Sequence, residues 1–545
     1  MKPITKYYFL AALILSGLFL QGCSKKFLNR PPISQLTSDN FYRTNDEIVA
    51  GTAPLYNIVW FDYNDKAFLA FGAAKGGDLN SNDRTAYIQF DVSATDQSTL
   101  LTGYKSFYKI VAQSNTTMQN IINANGSTAS TVVKNTGIAE CRFMRAMAYY
   151  FLVSNWGAVP IVYDNAAQLS DNIPRNTIES VWQFILLDLR WAADNLPPAP
   201  YQQGRLTKYS AEGMLAKMYL IRSGLNKTEG SRTQSDLDSA KYYAADVIQN
   251  SGRSLLPNYY NLFTSADNNS SNNNNEMLFA LQWMPTNSPW GVNNSFQAYM
   301  APDPKITQTG DGWGAAQGGS ADLVSYFLAN PTDSIRRKAT IMFPGDVYKE
   351  LDQKDGGILV ANSINYAFVK KYIVGSPADN GGKGAFMAAY INTYMLRLAE
   401  VYLIYAEAIM GNNPSTSDAT ALQYFNAVRT RAGMPSATSI TFDDIFREKR
   451  IELALEGNAW YDILRWYYFA PAKAMAYVAA QDRATSYTLS LVANSSPKQY
   501  TFTSTTQHFP FTASTAYLPF PESEMVMAPS LGDAPVPFDF SKLPK

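Results

Sequence analysis

Met395-Leu396-Arg397-Leu398-Ala399-Glu400-Val401-Tyr402-Leu403-Ile404-Tyr405-Ala406-Glu407-Ala408-Ile409-Met410 is the stretch from which the fold is read. Its only charged residues are Arg397, Glu400 and Glu407. At about 100° per residue these fall within one narrow arc and leave the rest of the circumference apolar, so the segment predicts a helix buried nearly all round. Such a helix needs other helices about it. Ile138 to Val153 repeats the pattern, with Glu140, Arg142 and Arg145 as its charges. Val181, Ile185, Leu186, Leu189 and Ala192 form a one-sided stripe closed by Leu196-Pro197-Pro198, and Ala211, Met214, Leu215, Met218 and Tyr219 mark a further helix. Thr441-x-x-Asp444 has the form of a capping box, opening a helix that should stop at Gly457. Paired helices with Ala146, Ala148, Ala211, Ala216, Ala406 and Ala408 at close-approach positions predict stacked helical hairpins.

The amino terminus reads differently. Lys2 and Lys6 precede an apolar run, Phe9 to Leu20, that ends in Leu20-Gln21-Gly22-Cys23. The run is shorter than the roughly 20 residues needed to cross a bilayer core, so residues 1–22 predict a lipoprotein signal peptide with Cys23 as the acylated residue. One acyl chain holds a protein only marginally, and stable anchoring needs more than one. Residues 23–545 carry no clean linker and are expected to form a single unit.

Composition narrows the chemistry. The 45 basic and 45 acidic residues balance to a formal charge of zero, which removes the electrostatic case for nucleic acid as a partner. With Cys23 acylated, Cys141 is the remaining cysteine, so no disulfide is available and Cys141 is expected to be a buried apolar residue of its helix. The single histidine, His508, cannot supply a zinc site of the usual kind, nor does its Thr/Phe-rich setting suggest Ser-His-Asp chemistry; it is expected to be structural or at the surface. No cofactor is implied. The 35 tyrosines and nine tryptophans demand either a large mixed core or rings on display.

Between about residues 251 and 386 the helical signal gives way to Asn-rich, Gly-rich and Pro-punctuated sequence, and loops on a rigid frame are where binding residues collect. The frame itself is expected over about 40–250 and 390–470, with an irregular region over 471–545. Within the latter, Tyr487 to Thr503 alternates apolar and polar residues about Asn494-Ser495-Ser496-Pro497 and predicts a β-hairpin. Glu448, Glu452 and Glu456 recur every fourth residue, a like-charge ladder that is costly without basic partners, and Arg447, Lys449, Arg450 and Arg465 are near in sequence to supply them.

Several segments together resemble the SusD/RagB family of outer-membrane glycan-binding lipoproteins. They are Phe27-Leu28-Asn29-Arg30-Pro31-Pro32 after the lipid cysteine; Arg142 to Leu152 with Trp156-Gly157-Ala158-Val159-Pro160; Leu396 to Ala408; Arg447 to Gly457 with Asp462-Ile463-Leu464-Arg465-Trp466; and Leu518-Pro519-Phe520-Pro521-x-x-Glu524. The resemblance implies a mainly α fold: TPR-like helical hairpins forming a superhelical frame, a loop-rich insertion and a few short β-hairpins. It also implies a glycan ligand, a SusC-like TonB-dependent transporter as partner, an outer-membrane location through the lipid anchor facing the cell exterior, and no catalysis.

A sugar presents C–H faces and a belt of hydroxyls, so its site needs flat rings and a few polar groups at the rim. Trp283, Trp290 and Trp313 lie in the loop-rich region beside Gln282, Asn287, Asn293, Tyr299 and Asp311. Trp313, between Gly312 and Gly314, is either a platform or a loop anchor. Asp78, Asn80, Asn82 and Arg84 pack donors and acceptors into one loop, which reads as sugar contact, plain turn, or less readily a metal loop, since the closing glutamate of an EF-hand is absent. Two rival functions stay open: a helical glycoside hydrolase using two carboxylates, and a TPR-type adaptor that binds no glycan.

Overall fold

The computed structural model describes residues 41–168, 172–269 and 274–543. The expected signal peptide, Cys23 and the Phe27–Pro32 motif lie outside these residues. Five helices follow one another in the first half: α1 (Leu100–Asn123), α2 (Thr131–Trp156), α3 (Ile178–Asn195), α4 (Lys208–Arg222) and α5 (Gln234–Asn250). Each packs on the next, so the chain stacks helical hairpins. α6 (Leu398–Met410) returns after the loop-rich region to lie against α4 and α5, followed by α7 (Ala419–Arg431), α8 (Phe442–Glu452), α9 (Ala459–Phe469) and α10 (Pro471–Ala480). Ser130, Thr177 and Thr207 accept backbone N–H bonds at the starts of α2, α3 and α4, which satisfies donors that the first helical turn leaves open. The Thr441/Asp444 capping box opens α8 as expected. Cys141 is buried in α2. His508 is exposed, its Nδ1 2.9 Å from the Gln481 carbonyl.

The strands are short. β1 (Leu79–Ser81) pairs antiparallel with β3 (Gln317–Gly319), and β2 (Met277–Leu281) with β4 (Thr393–Arg397). β5 (Tyr487–Leu491) and β6 (Tyr500–Ser504) form the hairpin anticipated from their alternation.

Three expectations about these elements need correcting. Met395 to Arg397 belong to β4, and the helix begins at Leu398, because an apolar run buried on every side has the same composition in a strand and in a helix. α8 ends at Glu452, not at Gly457; the chain turns over Leu453–Gly457, with φ +72° at Gly457, where an added Cβ would meet the Phe68 ring at 2.8 Å. The C-terminal region is not wholly irregular, since α10 occupies Pro471–Ala480.

The charges on the frame point inward. Arg397, buried, bonds Glu456 (2.8–2.9 Å), Glu276 (2.6 Å) and Glu452 (3.0 Å). Arg431 joins Glu276 (2.7 Å) to Glu452 (2.5 Å), and Arg336 joins Asp333 to Glu448 (2.5 Å). The glutamate ladder is therefore a structural network, but its partners are mostly remote in sequence. Of the sequence neighbours, Lys449 goes to Glu400 and Asp462, Arg465 to Glu407 and Asp462, and Arg450 to Asp78 and Asp322. Although burial opposes it, the Glu452 carboxyl is held down at about 2 by Arg431, Arg397 and Arg336. Glu276 precedes β2 and Arg397 ends β4, so this network rivets the root of the loop-rich region to the frame.

Candidate functional site

The loop-rich region raises aromatic rings on one face. Trp313 is 48% exposed, Trp290 50% and Phe386 39%. Tyr299, half-buried, lies against Trp313 with ring centroids 5.8 Å apart, and Phe386 also meets Trp313, at 5.9 Å. Trp290 packs edge-on to Phe61 at 5.4 Å. Asn287 Nδ2 donates to the Phe386 carbonyl (3.2 Å), which ties the loop bearing Trp290 to the one bearing Phe386. Trp290, Phe386, Trp313 and Tyr299 thus belong to one connected surface.

Local backbone chemistry sets these rings. Trp313 N–H donates to the Ala298 carbonyl and Gly314 N–H to that of Ala301, each at 2.8 Å, which clamps the Gly-Trp-Gly turn onto the short helix Phe296–Met300. A Cβ at Gly314 would stand 2.2 Å from the Met300 carbonyl oxygen, so only glycine permits this approach. Asp311, buried, accepts from Met387 N–H at 2.5 Å, and Asn293 donates to the Met387 carbonyl at 2.7 Å, so both sides of the platform converge on the residue after Phe386.

Polar groups collect at the Tyr299 end. Lys66 donates to the Tyr299 hydroxyl (3.1 Å) and pairs with Asp65 (2.8 Å). Gln317 donates to the Tyr299 carbonyl, while its own side-chain oxygen is without a hydrogen-bond partner among the described residues. Asp65 Oδ1 and Arg84 Nε, on buried side chains, likewise have none. Burial lowers the Arg84 guanidinium below its ordinary range, and its hydrogen bond to Ser81 is a long one, 3.4 Å. These three atoms are sealed from solvent, so the polar side chains that a sugar hydroxyl can reach near this end are the exposed Lys66 and Asn82.

The structure divides the expected site residues. Trp313, Trp290 and Tyr299 lie on the platform face, with Arg84 at its polar end. Trp283 does not: it is 6% exposed, and its indole N–H donates to Thr393 Oγ1 at 3.0 Å, so it is a core residue and not an open ring. Asp78 is buried and spent on Arg450 (3.1 Å) and the Leu455 N–H (3.3 Å). Asn80 is buried in β1 and donates to the Ala484 carbonyl at 2.9 Å. Asn82 is exposed and accepts from Tyr366 at 3.3 Å. The expected recognition loop is therefore half strand, because β1 pairs with the glycines of β3 and turns Asp78 and Asn80 inward. Sequence reasoning missed Phe386, Asp65 and Lys66. Phe386 had a signal in its setting, Gly381 to Gly384 just before a lone aromatic, whereas Asp65 and Lys66 lie in Asp62-Tyr63-Asn64-Asp65-Lys66, a short polar stretch remote in sequence from the loop-rich region. Among the described residues no three His, Cys, Asp or Glu side chains gather as a metal site, and no helix is long and apolar enough to cross a membrane.

Comparison with known proteins adds to this geometry. Residues 275–535 match the model of the SusD family, and residues 34–220 match a family described as starch-binding and associating with the outer membrane. A SusD-like protein of Bacteroides ovatus is 36% identical over 98% of both chains. A crystal structure solved with xylogluco-oligosaccharide superimposes with a TM-score of 0.82, covering 90% of this chain and 99% of that one at 36% identity. A laminarin-binding SusD-like protein, 22% identical, shares the fold with a TM-score of 0.65 over 89% of this chain and 98% of its own.

Proposed function

The chain belongs to the SusD family, a family of carbohydrate-binding proteins rather than enzymes, and from that premise we propose that it is a non-catalytic glycan receptor of the outer membrane. The observation that carries the reading is the face of Trp290, Phe386, Trp313 and Tyr299 with the exposed Lys66 at its Tyr299 end. Flat rings take the C–H faces of pyranose units, and each good ring contact contributes on the order of 1 kcal/mol beyond the area it buries. Lys66 and Asn82, both exposed, supply donors and an acceptor for hydroxyls, with Arg84 and Asp65 buried behind them.

A β-glucan of the xyloglucan type is the ligand we favour, on the likeness to the structure solved with xylogluco-oligosaccharide. Residues 1–22 act as signal peptide, the single unit 23–545 hangs from acylated Cys23 on the cell exterior, and the captured saccharide passes to a SusC-like TonB-dependent transporter. Weak, reversible stacking suits a protein that hands its cargo on. Calorimetry of the soluble form with xyloglucan oligosaccharide, laminarin and starch tests the ligand. Absence of binding to all three, or release of new reducing ends, would overturn the reading. Metabolic labelling with radioactive palmitate, lost in Cys23→Ala, tests the anchor, and co-purification with a barrel protein tests the partner.

A further inference from the structure

A cavity of about 280 Å³ shares no residue with the ring platform and is lined among others by Lys75, Phe90, Asp91, Ser514, Thr515 and Tyr517. Lys75 is 1% exposed. Its ammonium donates to the Ala516 carbonyl at 2.8 Å and lies 4.0 Å from the centroid of the Trp460 ring. These two contacts suit a cation, yet no carboxylate pairs with it among the described residues. Asp91, at the rim, is exposed and forms no ion pair with it. The neighbouring charged group is a second cation. Arg483 donates to the Lys75 carbonyl (3.0 Å), to that of Ile88 (2.9 Å) and to Gln481 Oε1 (2.7 Å), lies over the Phe90 ring, and also lacks a paired carboxylate among the described residues. Burial lowers both groups: Lys75 falls well below the usual lysine range, further depressed by Arg483, and Arg483 falls to about 9.

Other buried cations of the helical frame are placed otherwise. Arg145, Lys217, Arg397 and Arg465 each sit on a carboxylate. Two buried cationic side chains that no carboxylate pairs with among the described residues hold their charge poorly, and one of them, Lys75, lines the cavity. A compact oxyanion in the cavity would compensate them. The space accommodates one monosaccharide-sized molecule, and Ser514 and Thr515 stand in the wall with their hydroxyls held by Thr512, which leaves the Lys75 ammonium as the group to meet the anion.

We propose that this cavity is a binding site for a small carboxylate, held by the Lys75 ammonium. The site does not depend on the ring platform. D-glucuronate is the probe, with D-glucose as its neutral counterpart, and the readout is reductive methylation of Lys75 followed by mass spectrometry. Glucuronate should slow methylation of Lys75 about tenfold at about ten times its Kd, while surface lysines and the glucose sample are unaffected. It should also raise the melting temperature of the native protein and not that of Lys75→Met, which keeps the apolar stem without the charge. The same protection should persist in Trp313→Ala, so failure of the glycan platform and failure of this site are told apart. No protection, equal protection by glucose, or an equal thermal shift in Lys75→Met would each overturn the proposal.

Discussion

Replacing Trp313 by alanine separates recognition from folding. The ring is 48% exposed, and a tryptophan offers up to about 250 Å² of side-chain surface, so about 120 Å² is free for a ligand. At about 25 cal/mol per Å², covering half to all of that area contributes about 1.5–3 kcal/mol. Loss of the ring should therefore weaken binding about ten- to hundredfold. Stability should change little, because the ring's aromatic neighbours, Tyr299 and Phe386, are themselves partly exposed, and the backbone N–H that bonds the Ala298 carbonyl survives the substitution. Titration calorimetry with xyloglucan oligosaccharide reads the affinity, and urea unfolding reads the fold. Trp283→Phe is the counterpart: it deletes the indole bond to Thr393 in the core, and should cost about 1–3 kcal/mol of stability while leaving affinity nearly intact. An unchanged Kd in Trp313→Ala, or a larger loss in Trp283→Phe with the fold preserved, would refute the assignment of recognition to the exposed ring.

Further outcomes follow from the same geometry. Gly314→Ala should depress glycan affinity without touching a ring, since the new methyl collides with the Met300 carbonyl and displaces Trp313; calorimetry checks it. Glu452→Gln should cost about 3–5 kcal/mol in urea unfolding, because it strips charge from a carboxylate shared by Arg397, Arg431 and Arg336. The native Glu452 carboxyl sits at about 2, below its unfolded value, so its contribution is present above about pH 4.5 and is lost as pH falls toward 2; stability measured across that window should fall less steeply in the variant than in the native protein. Glu212 behaves oppositely. Burial and the neighbouring Asp246 push it up to about 8, so its protonated form stabilises the fold below about pH 4.5, and that contribution fades as pH rises through 8. Glu212→Gln should flatten the decline in unfolding free energy between those limits, by about 1–2 kcal/mol after screening by solvent, as urea unfolding at the two pH values reads.

The frame was legible because its signals are local. The apolar arcs of α2, α3 and α4, the Thr441/Asp444 cap and the alternation of β5 and β6 each need only neighbouring residues to be read. What escaped depended on partners far along the chain. Met395 to Arg397 became a strand because β2 was there to pair with them, and Asp78 turned inward because Arg450 awaited it. Trp283 follows the strand Met277–Leu281, which is buried on both faces, so alternation could not tell an inward ring from an outward one. Chemistry that suited a sugar was equally suited to a packed interior, and only burial distinguishes Trp283 from Trp313.

The clamps beneath the rings carry one last consequence. Since amide bonds at Ala298, Ala301 and Met387 already fix the turn, a saccharide arriving at Trp313 meets a surface in its final shape, and the protein surrenders little disorder upon capture. Association should then be quick and nearly insensitive to solvent viscosity beyond diffusion itself, leaving the dwell time as the quantity through which sequence changes tune the receptor.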